Sequence, residues 1–366
     1  MAVTMKEIAR IAGVSQPAVS AALTSSGTTK VSEKMCLRIL KIAEELNYVP
    51  NNAAQRLKGG ATHTIGLYGV PYVSVLTQAL VLELSLRFAE ENYNLISCYG
   101  SSVEASAHAM KQLVAKGVDG VIIMTPENNP LSYFKKVGIP YVYAPPFQAE
   151  GFDLAVDHER GGFLAASEMI ACGAKRIGFL AIDSSALETK KKAGSNSNPT
   201  FEKYTGYCGA LEANSIPFRP EFVLTHNQFK FQANLLCAHV KKLRLDALMC
   251  SNDFLAAGIM HTLLSRGVRI PQDLMITGYD GLSLCSTAPV PLSTVIQPNA
   301  ELATSIVKLL LDRIARPKNA SEPLGRKLQP VFYASESSGG HPPDFNVLQS
   351  SDTYSTLELN WNFAGK

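Results

Sequence analysis

Hydrogen-bonding side chains stand close together near the start of the chain, where Ser15 and Gln16 follow Gly13. Gly13 permits a sharp turn, and Ser15 is a preferred residue at the start of a helix whose first turn can hold Pro17. Hydroxyl and amide groups in that place suit hydrogen bonding to phosphate oxygens and to base edges. The pattern predicts a helix-turn-helix whose second helix enters the major groove of DNA.

Short helices must hold these side chains in place. Thr4 and Glu7 form a T-x-x-E pattern, which predicts a capping box at the start of the first helix. An apolar face at helical spacing follows, formed by Ile8, Ala9, Ile11 and Ala12. The sequence up to residue 57 therefore predicts two short helices around a glycine turn, a third helix and a linker.

Positive charge is concentrated in the same part of the chain. Residues 1–60 carry eight basic and four acidic side chains, a net charge of +4, whereas the whole chain has a net charge of +3. A charged run alone is commonly only a solvated face, but here it coincides with the helix-turn-helix pattern. Attraction to phosphate is therefore expected at the N-terminus.

The length of 366 residues exceeds one ordinary core, so we expect two or three domains. With 46% apolar and 18% charged residues, the composition is typical of a globular protein. No run approaches the ~18 uncharged apolar residues of a membrane span, and Lys6, Glu7 and Arg10 interrupt the first apolar stretch, so we expect no signal peptide and no membrane partner. The seven scattered cysteines include no C-x-x-C, which favours a reducing, cytoplasmic location.

Motifs that carry enzyme chemistry are missing from the sequence. It contains no G-x-S-x-G, no phosphate-binding P-loop, no G-x-G-x-x-G and no cysteine–histidine constellation with metal-ligand spacing. We therefore expect a protein that is not an enzyme and that uses neither a cofactor nor a metal.

Beyond Gly59-Gly60, apolar runs alternate with amphipathic helical stretches. The predicted strands cover residues 64–70, 95–99, 118–124, 141–144, 176–182, 247–250 and 274–278. One predicted helix ends at residue 92, and the others cover residues 104–116, 200–214, 229–243 and 253–266. This alternation predicts an α/β fold with parallel, doubly wound sheets in two similar lobes. Ligands bind beyond the carboxyl ends of the strands in such sheets, so residues just after strands are the candidates for a site.

Two segments predict no regular structure. Residues 184–200 are rich in lysine, glycine, serine and asparagine, which is typical of an exposed loop. The stretch after Ser338 is expected to be a loose tail without a leucine heptad, so a coiled coil is not supported. A strand added to a partner is the alternative for its apolar residues Tyr354, Leu357, Leu359, Trp361 and Phe363.

Together these residues resemble the lac repressor/galactose repressor family of bacterial transcription regulators. Besides the N-terminal pattern, the resemblance rests on Ser251-Asn252-Asp253, on Ile276-Thr277-Gly278-Tyr279-Asp280 and on Pro291-Leu292-Ser293-Thr294-Val295-Ile296-Gln297-Pro298. It covers residues 3 to about 338. The resemblance implies a helix-turn-helix headpiece and a two-lobed, doubly wound parallel-sheet core like that of periplasmic binding proteins.

The resemblance also implies domain boundaries. A headpiece covers residues 1–50 and a hinge helix with its linker covers 51–60. The first lobe of the core covers 61–158 and 297–321, and the second lobe covers 159–296 and 322–338. The tail covers 339–366.

Contacts with DNA phosphates are implied by position for Thr4, Ser15, Ser20, Thr24, Tyr48 and Asn51. A role for Ser15 as a plain helix cap is compatible with such a contact, and Tyr48 filling the core is an alternative. Base reading would fall to Gln16, Pro17 and Ala21. The family commonly has an arginine where this chain has Ala21, and such an arginine can bond guanine bidentately. Without it, specificity must come from Gln16, from methyl contacts or from DNA shape.

Residues 51–58 resemble the family's hinge helix, which folds on DNA and enters the minor groove. Ala54, Gln55 and Leu57 would contact DNA there, with Leu57 as a wedge between base pairs. The run is helix-prone but too short to be stable alone. The alternative for Leu57 is a linker leucine that packs on the core.

An effector would lie in the cleft of the core, against Leu76, Thr77, Met124, Lys203, Asn252, Phe254, Asp280 and Gln297. Asp280 can accept hydrogen bonds from ligand hydroxyls, and Asn252 can both donate and accept. The alternatives are a turn residue for Asp280 and a helix cap for Asn252.

Two departures from the family bear on the ligand. Lys203 stands where the family usually has an arginine, which keeps the charge but loses the bidentate fork. Pro145-Pro146 stands where many relatives have an acidic residue. A sugar or sugar derivative is the ligand that the family implies, and a less hydroxylated or anionic ligand drawn by Lys203 is the alternative.

These expectations combine into a repressor that binds a near-palindromic, double-stranded DNA operator as a homodimer. A small-molecule effector would control its DNA affinity allosterically. The alternatives from other classes are an enzyme or small-molecule-binding protein on the same α/β core and a solute-binding transport protein. Within regulation, an activator or a weakly DNA-binding member is the alternative.

Overall fold

The computed structural model describes residues 3–24, 31–48, 61–69, 75–182, 184–187, 198–229, 232–316 and 322–340. The chain forms two compact units, Met1–Thr62 and His63–Lys366. We call the first unit the headpiece and the second unit the core. Each buries its own set of apolar side chains, as a domain does.

The described part of the headpiece consists of the helices α1 (Met5–Ala12), α2 (Gln16–Thr24) and α3 (Glu33–Glu45). Ile8, Val19 and Ile39 contribute one fully buried side chain from each helix to a shared apolar cluster. Gly13 ends α1 with a φ of +70°, a conformation that glycine adopts without steric cost. The predicted helix-turn-helix is confirmed.

Two local predictions for α1 are wrong. The Thr4 side chain makes no capping hydrogen bond, and only its carbonyl oxygen accepts one from the backbone N–H of Glu7, at 3.0 Å. The capping box is thus not formed, and the Thr4 side chain is exposed to solvent. Ile11 is 40% exposed, since the buried side of the helix is centred between Ile8 and Ala9, nearly a third of a turn away from Ile11.

The core alternates strands and helices along the chain. Its described strands are β1 (Thr64–Tyr68), β2 (Asn94–Cys98), β3 (Gly120–Ile123), β4 (Tyr141–Tyr143), β5 (Leu154–Val156), β6 (Ile177–Ala181), β7 (Val223–Thr225), β8 (Ala247–Cys250), β9 (Met275–Thr277), β10 (Thr294–Ile296), β11 (Arg326–Leu328) and β12 (Val331–Tyr333). Its described α-helices are α4 (Val75–Glu90), α5 (Val103–Lys116), α6 (Pro130–Val137), α7 (His158–Ala171), α8 (Pro199–Ala213), α9 (Ala233–Leu243), α10 (Asp253–Leu264), α11 (Leu284–Thr287) and α12 (Asn299–Ala315).

A parallel sheet forms the centre of each lobe. The strands of the first lobe lie in the order β2-β1-β3-β4, and those of the second lobe in the order β7-β6-β8-β9. Every pairing within these two described sheets is parallel. Parallel strands joined by helices give the doubly wound α/β fold that the sequence predicts.

The chain crosses between the lobes more than once. Strand β11 pairs with β5, and Leu328 packs with Val156 in the apolar cluster of the first lobe. Strand β12 pairs with β10, and Tyr333 packs in the second lobe. Residues 326–328, which the sequence analysis assigns to the second lobe, therefore pack in the first lobe because they extend β5.

A buried ion pair fastens this part of the first lobe. Arg313 on α12 donates to both carboxylate oxygens of Asp153 at 2.6 Å, and to the carbonyl oxygens of Tyr141 at 2.7 Å and Glu322 at 3.1 Å. Asp153 also accepts the backbone N–H of Tyr143 at 2.8 Å. Both charged groups are hydrogen-bonded on several sides, which is the condition for a stable buried pair.

Candidate nucleic-acid interface and effector site

The start of α2 presents polar side chains outside the headpiece core. Ser15 precedes the helix, and its Oγ accepts a hydrogen bond from the backbone N–H of Ala18 at 3.4 Å. Gln16 and Pro17 are exposed, so neither is needed to pack the described helices together. The helix is capped as the sequence predicts, and Gln16 is open to a partner.

The other predicted DNA contacts fall into two groups. Thr4 is exposed, whereas Ser20 and Ala21 are half-buried on α2. Thr24 ends α2, and its side chain lies outside the described part of the structure, as do the predicted contacts Asn51, Ala54, Gln55 and Leu57.

Tyr48 packs against the apolar cluster of the headpiece and is half-buried. Burial raises the pKa of its hydroxyl above the ordinary value. The core-filling interpretation thus describes the ring of Tyr48, while a phosphate contact by its hydroxyl stays a prediction.

Basic side chains of α1 and α3 are exposed, namely Lys6, Arg10, Lys34, Arg38 and Lys41. Lys41 lies 3.9 Å from Glu45 in a solvent-exposed pair, a type of contact that contributes little to stability. Exposed cations of this kind attract a polyanion over a distance of about 10 Å at moderate salt.

Three of the predicted effector residues meet in the core. The Nζ of Lys203 on α8 lies 3.5 Å from Oδ1 of Asp280, and Nε2 of Gln297 donates to the same oxygen at 2.9 Å. Asp280 follows β9 and Gln297 follows β10, so both lie beyond the carboxyl end of a strand. We call Lys203, Asp280 and Gln297 the effector cluster.

Lys203 is buried, and its ammonium group has partners within the protein. Nζ donates to the carbonyl oxygen of Ser251 at 2.9 Å and lies 3.8 Å from the centre of the Tyr279 ring, within cation–π range. Burial lowers the pKa of Lys203, and the carboxylates of Asp280 and Asp253 oppose that shift. The positive charge is thus compensated inside the core.

Asp280 has a backbone conformation that residues other than glycine rarely adopt. Its φ is +125°, and such strain persists only where the surroundings hold the residue in place. Burial raises the pKa of its carboxyl group, and the Lys203 ammonium opposes the shift. Oδ1 makes both contacts of the effector cluster, and no described residue donates a hydrogen bond to Oδ2.

Asp253 is fully buried and holds the turn that follows Asp280. Its Oδ2 accepts the backbone N–H of Leu282 at 2.8 Å, and its Oδ1 accepts the hydroxyl of Thr294 at 2.6 Å. Burial, together with the nearby Asp280 carboxylate, raises the pKa of Asp253 to about 7. Asp253 was not predicted as a site residue, because its partners lie 29 and 41 residues further along the chain.

The remaining predicted effector residues make other contacts. Asn252 caps α10, since its Oδ1 accepts the backbone N–H three positions on at 2.8 Å. Met124 is buried in the apolar cluster of the first lobe, and Phe254 is 57% exposed. Leu76 and Thr77 are half-buried in the first turn of α4. None of these five makes a hydrogen bond to the effector cluster in the described structure.

Side chains that the sequence analysis did not select join the two lobes. Nε2 of His158, at the start of α7, lies 2.9 Å from the carbonyl oxygen of Pro146, and its Nδ1 lies 3.0 Å from the hydroxyl of Tyr279. Oε1 of Glu202 accepts the backbone N–H of Gln148 at 2.9 Å. Pro146 and Gln148 follow β4 of the first lobe, whereas Tyr279 and Glu202 belong to the second. Since His158 and Tyr279 are 121 residues apart, no local spacing signals their contact.

No cluster of three or more histidine, cysteine, aspartate or glutamate side chains in the described part of the chain has an arrangement that could hold a metal ion. Among the helices of that same part, none combines the length and apolar character needed to cross a bilayer.

Comparison with known proteins covers both units. Residues 4–51 match the family described as bacterial regulatory proteins, lacI family, and residues 166–331 match a periplasmic binding protein-like domain. The chain is 30% identical over 321 residues to the ribose operon repressor of Haemophilus influenzae, covering 86% of this chain and 92% of that protein. It is 28% identical over 325 residues to the HTH-type transcriptional repressor PurR of Vibrio vulnificus, covering 85% and 92% of the two chains.

Solved structures show the same fold. The lac repressor dimer bound to operator and the anti-inducer ONPF is 22% identical, with a TM-score of 0.75 over 92% of this chain and 99% of that one. A LacI family regulator from Enterococcus faecium with bound ribose is 25% identical, with a TM-score of 0.61 over 75% and 98%. The chain belongs to the lacI family of bacterial regulatory proteins, and it is a transcriptional repressor and not an enzyme.

Proposed function

We propose that this repressor binds a near-palindromic operator as a homodimer and that a sugar or sugar derivative in the core controls its affinity for DNA. The observation that carries the proposal is the pairing, in one chain, of two features. An exposed Gln16 begins the second helix of the headpiece, and a buried charged cluster lies beyond strands β9 and β10 of the core. We place its action in the cytoplasm, where a bacterial operator lies.

Gln16 is the side chain that we propose reads a base edge, with Pro17 and Ala21 in apolar contact beside it. Glutamine can bond adenine bidentately, which contributes ~1–3 kcal/mol of discrimination against other bases. Thr4, Ser15, Ser20, Thr24, Tyr48 and Asn51 would fix the register on the phosphates, and Ala54, Gln55 and Leu57 would enter the minor groove. The exposed basic residues of α1 and α3 support this orientation toward DNA.

The effector cluster favours an uncharged ligand rich in hydroxyl groups over an anion. The charge of Lys203 is already met by Asp280 at 3.5 Å, so little net attraction remains for an anionic group. The open Oδ2 of Asp280 can accept a ligand hydroxyl. The similarity to a ribose operon repressor supports the same class of ligand. Leu76, Thr77, Met124, Asn252 and Phe254 would complete the contact.

Assembly as a homodimer has its own support. Val75 and Leu86 are 41% and 48% exposed, and their spacing of 11 residues places them on the same face of α4. Leu82, half-buried, lies between them on that face. An apolar helix face on the surface is typical of an interface. Two copies joined in this way would present two headpieces to two half-sites.

The control that we propose is a change in the angle between the lobes on effector binding. A coupling of ~1–3 kcal/mol would change operator affinity by roughly 5- to 150-fold. Whether the effector weakens or strengthens DNA binding depends on the lobe arrangement that it prefers.

The test starts with selection of bound DNA from a pool of random duplexes by the purified full-length protein. Enrichment of a near-palindrome, followed by release or tightening with D-ribose or another neutral sugar, supports the proposal. An enriched site with one half only overturns the dimer. Enrichment with no response to any of a panel of neutral sugars, but a response to a sugar phosphate, overturns the preference for an uncharged ligand.

A further inference from the structure

The hydrogen bonds of His158 have a fixed direction. The carbonyl oxygen of Pro146 can only accept, so Nε2 of His158 carries a proton. Burial, with the nearby ammonium of Lys203, lowers the pKa of His158 to about 3, so the ring is neutral and Nδ1 is an acceptor. The hydroxyl of Tyr279 therefore donates to Nδ1. Burial raises the pKa of Tyr279, which keeps that proton on the hydroxyl.

Tyr279 touches two functional groups with different parts of one side chain. Its hydroxyl is hydrogen-bonded to His158, while the ammonium of Lys203 lies over its ring face, 3.8 Å from the ring centre. It also directly precedes Asp280, the acceptor of the effector cluster. A rigid aromatic ring cannot move at one end without moving at the other.

The neighbouring helix leaves the Tyr279 ring little space. A Cβ at Gly161 of α7 would overlap the Tyr279 hydroxyl, and a Cβ at Gly162 would overlap the backbone carbonyl of Lys203. Tyr279 and the backbone of Lys203 are thus both packed directly against α7. Close-packed protein interiors transmit a displacement instead of absorbing it.

We propose that His158 and Tyr279 are positioning residues that connect the effector cluster to the contact between the lobes. The connection runs from Pro146 of the first lobe through His158 and Tyr279 to Lys203. A ligand that shifts Lys203 or Asp280 moves the Tyr279 ring, and this strengthens or weakens the hold on residues 146–148. This inference rests on the function proposed for the effector cluster, but its test needs no effector.

Hydrogen exchange of the Gln148 amide reports on the lobe contact, because this N–H donates to Glu202 across the lobes. In full-length protein, Tyr279→Phe removes only the hydroxyl and should make the Gln148 amide exchange roughly 2- to 10-fold faster, the effect of one lost hydrogen bond. Tyr207→Phe is the matched control. Tyr207 is equally buried, but its hydroxyl donates to the carbonyl of Ile177 at 2.8 Å within the second lobe.

Unchanged exchange at Gln148 in Tyr279→Phe overturns the proposal. An equal acceleration in Tyr207→Phe also overturns it, because it would show general loosening of the lobe. Glu202→Ala should accelerate exchange at Gln148, whereas Glu202→Gln should largely preserve protection, since the amide keeps an acceptor oxygen. The exchange results could be as expected while no ligand changes DNA binding. That outcome would count against the proposed effector site and not against the connection between the lobes.

Discussion

At the scale of single residues, Lys203 balances buried carboxylates. Lys203→Met should lower the free energy of unfolding of the core by ~3–5 kcal/mol, since it leaves Asp280 buried without its cation. Adding Asp280→Asn should recover part of that loss, because the uncompensated charge is then gone. Urea unfolding of the two single variants and the double variant measures the coupling. Strictly additive losses would show that the 3.5 Å pair does not couple energetically.

Asp253 should give the core a dependence on pH of unusual sign. Its pKa is about 7 in the folded chain and ordinary in the unfolded chain, so between about pH 4 and pH 7 the folded state binds the extra proton. Stability from this group is therefore lost as the pH rises through that window, with a slope of up to ~1.4 kcal/mol per pH unit. The measurement is the urea midpoint of the wild type minus that of Asp253→Asn, from pH 4.5 to 8. This difference should fall as the pH rises, and a constant difference would contradict the prediction.

The residues of the effector cluster could be predicted from the sequence, and those that hold them could not. Asp280 follows the predicted strand 274–278, at the end where parallel sheets place their ligands. Lys203 and Gln297 were assigned by position, through the resemblance to the family. Asp253 and His158 act through partners that are distant along the chain, so their local sequence does not give their contacts.

At the scale of elements, α7 and α8 pack backbone against backbone. A Cβ at Gly206 of α8 would overlap the carbonyl oxygen of Glu159, so Gly206→Ala should destabilise the core by several kcal/mol, roughly as overpacking does. Gly209→Ala lies on the same helix, where the Cβ would meet only Phe163 Cδ2 at 3.8 Å. It should be neutral or stabilise by up to ~1 kcal/mol. Thermal or urea unfolding compares the two variants, and equal effects would contradict the close packing.

The central strands of both sheets were predicted, whereas the three-residue strands β5, β7 and β10 were not. Apolar runs at 64–70 and 247–250 mark β1 and β8 because a strand buried on both faces is apolar throughout. Helix α7 was not predicted, since its Gly161-Gly162 pair normally argues against a helix. The close approach of Tyr279 to Gly161 and of the α8 backbone at Lys203 to Gly162 explains the two glycines.

At the scale of the whole molecule, the charge of the headpiece should dominate the salt dependence of DNA binding. Arg10→Gln should reduce the slope of log K against log salt by about one unit per chain, even on a duplex of random sequence. Lys135→Gln, an equal charge change at an exposed residue of the core, is the control and should leave the slope unchanged. Fluorescence anisotropy across a salt series measures both. A slope that falls equally in the two variants would show that the headpiece does not dominate the salt dependence.

The return of the chain to its first lobe also has a consequence during synthesis on the ribosome. The apolar cluster around Leu67 and Ile122 is completed by Leu302 and Leu310 of α12 and by Leu328 of β11. Strand β5 emerges long before these residues, and at a translation rate of about 5–20 residues per second the delay is on the order of ten seconds or more. Throughout that time the first lobe carries an uncovered apolar surface. The nascent repressor is therefore a substrate for chaperones that bind exposed apolar chain, and its yield should depend on them more than that of a protein whose lobes are each continuous in sequence.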